Sequence, residues 1–220
     1  MTANENREYE KLVNRYTIGE EIFNGITHGI GALLSIVALV ILVAFASIKG
    51  DVWRIVSFSI YGFTLFFLYL SSTLYHSIFH EKAKRVLRLF DHISIYLLIA
   101  GSYTPITLIA MRGVWGWTIF GIIWGLAFTG IILKIMGMKR FKIVSLLLYL
   151  LMGWLIIIAF KPMMAMIPNG LFSWLLAAGL IYTIGIGFYI WRRPFSHGIW
   201  HLFVLGGSTV HFLGMLLYLA

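Results

Sequence analysis

The chain has 220 residues, 60% of them hydrophobic and 11% charged, and it contains no cysteine. A water-soluble domain of that length cannot hide so much apolar surface, so the composition excludes soluble classes and points to a polytopic membrane protein. The missing thiols exclude disulfides and thiolate metal ligands, and the formal charge of +9 has to be explained by where the basic residues sit.

The first twenty residues, 1–20, are polar and mixed in sign, with no apolar core of the signal-peptide kind. They read as a cytoplasmic tail ahead of a transmembrane domain over 21–220. Seven apolar stretches follow, at Ile22–Ile48, Ile55–Phe79, Leu87–Met111, Trp115–Met136, Ile143–Phe160, Leu171–Trp191 and Ser196–Ala220. Each is close to the ~20 residues that a bilayer crossing needs. The predicted fold is an all-α membrane protein, a seven-transmembrane helix bundle with short loops. Pro105 should disturb the third span. Gly121 with Gly125, and the run Gly206, Gly207, Ser208, should allow close helix approach, and Gly29 and Gly31 should admit another backbone against the first span.

The basic residues set the expected orientation. Thirteen of the seventeen fall on one side: Arg7, Lys11, Arg15, Lys82, Lys84, Arg85, Arg88, Lys134, Lys139, Arg140, Lys142, Arg192 and Arg193. Only Lys49, Arg54, Arg112 and Lys161 fall on the other. The N-terminus is therefore expected in the cytoplasm and the C-terminus outside. Topology accounts for the positive charge, and no nucleic-acid partner is needed.

With that topology, polar residues from four separate spans reach one depth near the inner face. Glu21, Asn24 and His28 open the first span, Ser72 and His76 close the second, Asp91 and His92 open the third, and His197 and His201 open the seventh. His197 and His201 are four apart and stack on one helix face. A pair at that spacing plus His76 from another helix supplies three imidazoles, one of the usual ligand sets of a catalytic zinc ion with an open position. Asp91 would hold a water at the metal or orient a histidine, and Ser72, one turn before His76, would add a hydrogen bond. Zinc so held acidifies water and polarises a carbonyl, which suits hydrolysis of an amide or ester, and a site inside the membrane boundary implies a lipid substrate.

Each residue also has a plainer reading. Membrane histidines often hydrogen-bond between helices, and His211 is read that way. His80 and His92 look interfacial. Asp91 could pair with Arg88 or cap its helix, and Glu21 with Asn24 could form a cap and dipole partner. A polar strut from Glu21, Asn24 and His28 into the site is the other reading of that trio.

The segments E21-I-F-N24-G-I-T-H28-G, S72-T-L-Y-H76, D91 in F-D-H-I-S, and H197-G-I-W-H201 followed by H211-F resemble the progestin and adiponectin receptor superfamily, in its bacterial branch called hemolysin III. That resemblance implies a seven-helix bundle with zinc near the cytoplasmic side on residues matching His76, His197 and His201. It implies that residues matching Asp91 and Ser72 lie by the metal. It also implies a multi-pass protein of a bacterial plasma membrane, with links to ceramide hydrolysis in relatives and to membrane-fluidity homeostasis in the bacterial branch. The leading expectation is a zinc-dependent membrane hydrolase acting on a lipid amide or ester. The runner-up is a non-catalytic membrane-fluidity sensor or regulator with a structural zinc site. A third is a haemolysis-associated, cytolytic membrane protein, which as a pore would need a continuous polar path.

Overall fold

A computed structural model describes residues 16–137, 141–191 and 193–220. Most of the tail read from the sequence, with Arg7, Lys11 and Arg15, lies outside the described residues, as do Lys139, Arg140 and Arg192.

Seven helical segments among the described residues are long and apolar enough to cross a membrane. The first four spans are α1 (Ile18–Ile48), α2 (Val52–Ser77), α3 (Glu81–Pro105, extended by a π-helical turn over Ile106–Ala110) and α4 (Val114–Gly137). The fifth is broken into α5 (Lys142–Gly153), a 3-10 turn (Leu155–Ala159) and α6 (Phe160–Met166). The last two are α7 (Leu171–Ile190) and α8 (Ser196–Tyr218). The lipid-facing sides carry bare Leu, Ile, Val and Phe, as a bilayer-embedded bundle requires.

The two breaks have local causes. Pro105 brings no N–H to the ladder, and the helix passes into the π turn beyond it. There Thr104 and Thr107 donate their hydroxyl hydrogens to the Ala100 and Tyr103 carbonyls. In the fifth span the Tyr103 hydroxyl donates to Gly153 O at 3.0 Å and accepts from Ile156 N–H at 3.2 Å. One side chain thus satisfies backbone groups on both sides of the break, which hydrocarbon could not do.

Helix starts fix the end of the bundle that matters. Thr17 and Glu20 form a capping box on α1, the Glu20 amide donating to Thr17 Oγ1 and the Thr17 amide donating to Glu20 Oε2. Glu20 Oε1 also accepts the amide of Phe195, a residue at φ +60° just before α8. The starts of α1 and α8 are therefore tied together. At the opposite end Arg54 Nε donates to Leu219 O at 3.0 Å and Lys49 Nζ to Ala220 O.

The glycine expectations divide. A Cβ on Gly207 would lie 2.8 Å from the Tyr182 ring, and Ser208 hydrogen-bonds the Tyr182 hydroxyl at 2.8 Å, so that run does pack α8 on α7. Among the described residues, a Cβ on Gly121 or Gly125 would meet nothing within 4 Å, so the close approach expected there is not seen. Gly31 makes room for the Tyr69 ring rather than for a backbone.

Candidate metal centre

His76 sits in the last turn of α2, and His197 and His201 in the first two turns of α8. One ring nitrogen from each lies within 4.8 Å of the others. The His197 and His201 Nε2 atoms are 3.1 Å apart. Ring centroids of His76 are 5.3 Å from His197 and 5.2 Å from His201. No fourth histidine or carboxylate joins this group among the described residues.

The first helix sets the tautomers. His76 Nδ1 lies 2.5 Å from Glu21 Oε2, so a carboxylate takes the Nδ1 hydrogen and leaves the Nε2 lone pair free. That Nε2 is buried and has no hydrogen-bond partner among the described residues. His201 Nδ1 faces Asn24 O at 3.3 Å, with Thr27 Oγ1 at 3.4 Å, so its hydrogen is also directed away from the cluster. Two lone pairs thus point at the same small volume as His197, an arrangement that is unfavourable unless a cation or a proton sits between them. An all-imidazole donor set of this kind fits zinc. A carboxylate and a carbonyl on the far ring nitrogens are the outer partners that zinc-binding histidines normally carry.

Glu21 has a second partner that the loop reading of the sequence did not suggest. Lys84 lies inside α3, 0% exposed, with Nζ 2.8 Å from Glu21 Oε1 and 3.2 Å from Tyr75 O. Its ammonium also faces the rings of Tyr75 and Phe79 at 5.0 and 4.7 Å. A loop position for this lysine would leave Glu21 with an unbalanced charge, and burial against Glu21 avoids that.

The remaining residues picked out by sequence are placed as follows. Asn24 contributes its main-chain carbonyl, while its buried amide group makes no hydrogen bond among the described residues. His28 stacks on His201 at 3.5 Å between centroids and meets Tyr69 edge-on. Ser72 is buried one turn before His76, its hydroxyl without a partner among the described residues. Asp91 lies ten residues into α3, too far in to cap it, with His92 Nδ1 at 3.3 Å. Asp91 and His197 line one small cleft, which Tyr16 closes by stacking on the His197 ring at 5.0 Å. Tyr16 and Thr27 were not singled out in the sequence; neither lies in a spaced pattern with the histidines. His211 is far from the cluster and contacts Tyr61.

Beside the histidines lies a cavity of about 480 Å³ between α3, the broken fifth span, α7 and α8. Asp91 and His28 form part of its wall at the histidine end, and Met163 and Phe172 line the other. Most of the wall between them is apolar.

Sequence comparison agrees with this architecture. Residues 16–212 match the family described as Haemolysin-III related. The chain is 53% identical over 204 residues to the Hemolysin-3 homolog of Bacillus subtilis (strain 168), covering 92% of this chain and 96% of the relative. It is 52% identical over 202 residues to Hemolysin-3 of Bacillus cereus, covering 91% and 92%. It is 30% identical over 214 residues to the human Monocyte to macrophage differentiation factor, covering 92% and 86%. A seven-span bundle, a three-histidine cluster with His76 and His201 buried, and a match along nearly its whole length make this chain a member of the haemolysin III family.

Proposed function

We propose that His76, His197 and His201 hold a zinc ion that braces the second and seventh spans against the first, in a bacterial plasma-membrane protein that senses or regulates the state of its bilayer. The observation carrying this reading is the fixed outer partnership. Glu21 and the Asn24 carbonyl, both on α1, hold the rings of His76 and His201 with their ligating edges together. The first, second and seventh spans then share one strong anchor. The hemolysin names of the two Bacillus relatives are consistent with a protein whose effect is exerted on a membrane. The basic residues favour a cytoplasmic N-terminus, which puts the site near the inner leaflet. A pore is a poor fit, because the cavity wall is apolar for most of its length.

A second reading, hydrolysis of a lipid amide or ester, is favoured by a separate observation. The cluster has no fourth protein ligand among the described residues, and an apolar cavity with Asp91 in its wall lies next to it. Zinc bound there supplies Lewis acidity to a carbonyl and lowers the pKa of a coordinated water. Asp91 would accept and return a proton at its carboxylate, Ser72 would donate its free hydroxyl hydrogen, and the cavity would keep bulk water from the acyl chain.

Metal analysis of purified protein should give about one zinc per chain, lost in His76→Ala and in His201→Ala; unchanged zinc in both variants would falsify both readings. Incubation with ceramide-like and phospholipid substrates then separates them. Fatty acid release that disappears in Asp91→Asn establishes hydrolysis, whereas zinc without any product leaves the bracing role.

A further inference from the structure

The cavity carries a second polar position that the metal centre does not use. His211 lies ten residues beyond His201 on α8, about 15 Å along the axis at the ~1.5 Å rise of a helix. It is 7% exposed and forms part of the cavity wall. Its Nδ1 is 3.0 Å from the hydroxyl of Tyr61, a buried residue of α2. No other hydrogen bond reaches the ring among the described residues, so Nε2, on the opposite edge, is left for a partner on the cavity side.

His28, whose ring nitrogens make no hydrogen bond among the described residues, lies at the histidine end of that wall, and five other polar side chains already have partners. Ser102 donates to Ile99 O, Thr183 to Gly179 O, Tyr103 to Gly153 O and Tyr149 to His92 O. Tyr182 and Ser208 satisfy each other. An imidazole nitrogen facing hydrocarbon without a partner is costly. A full charge at this depth would cost far more than a neutral group, so an ion is a poor occupant. A hydroxyl or oxo oxygen suits the position, because a hydroxyl can serve either tautomer of the ring.

We infer that the cavity takes a long apolar chain bearing one hydroxyl or oxo substituent, and that His211, held by Tyr61, recognises it. The inference rests on the cavity being a lipid pocket, as in the hydrolase reading above. An extended chain advances about 1.2 Å per bond, so 15 Å places the substituent roughly twelve bonds from the group held at the histidine end. Chains substituted near either end would leave His211 unpaired.

The test uses the zinc-loaded protein in nanodiscs and the displacement of radiolabelled octadecanamide. Competitors are unlabelled octadecanamide and its hydroxy derivatives at about carbon 12 and about carbon 5. The mid-chain derivative should displace about tenfold better than the parent, and the other should not. His211→Phe should abolish that preference, and Tyr61→Phe should reduce it, with retained zinc reporting that each variant is folded. Equal displacement by all three amides in the wild type overturns the inference. If octadecanamide itself does not bind, the lipid-pocket reading fails and the inference fails with it. Binding without preference removes the inference alone.

Discussion

Replacing Lys84 by Met tests the least expected contact in the bundle. The Lys84 and Glu21 side chains are 0% and 1% exposed, and their charged atoms are 2.8 Å apart. At an effective dielectric of ~20, two unit charges at that separation attract by about 6 kcal/mol. Desolvating both groups costs several kcal/mol each, so the intact pair adds little net stability. Removing one partner leaves the other charge buried and unpaired, at about 3–5 kcal/mol. Lys84→Met and Glu21→Gln should therefore each destabilise strongly. The double variant should cost less than the sum of the two, by about 2 kcal/mol or more. The measurement is SDS-induced unfolding from mixed micelles followed by circular dichroism, with chelator present so that metal binding does not contribute to stability. Additivity within about 0.5 kcal/mol would refute the argument, because two groups that do not share a charge balance have no reason to couple.

Three further outcomes follow from the structure. Glu21→Gln should weaken zinc binding by about 10–100-fold without abolishing it, since it alters the partner of His76 Nδ1 and leaves all three ligands; competition with a chromophoric chelator measures this, and an unchanged affinity would separate Glu21 from the site. Gly31→Ala should destabilise by about 1–3 kcal/mol, because its Cβ would come within 2.5 Å of the buried Tyr69 ring, which itself packs on His28. Gly125→Ala, with nothing within 4 Å, should be neutral or slightly stabilising in the same unfolding assay.

What could be read from the sequence, and what could not, divides along one physical line. Spans are long apolar runs, and a bilayer forces such runs to be helices, so the seven segments were legible without any tertiary knowledge. The histidine cluster was legible because its spacing and depth follow from those helices: His197 and His201 share a face, and alternating span direction brings His76 to the same end. Facing, by contrast, is decided by neighbours. Gly125 and Gly207 look alike in sequence, yet one opens on empty space and the other receives the Tyr182 ring. Lys84 was counted with the loop charges because a lysine near a span end is usually solvated. Only a carboxylate on a different helix, 63 positions earlier, makes its burial tolerable. The same contact links the two halves of the argument. Glu21 uses one oxygen to balance Lys84 and the other to fix His76. Charge balance at the α1–α3 contact and lone-pair direction in the histidine cluster are therefore properties of a single carboxylate, and neither can be changed without disturbing the other.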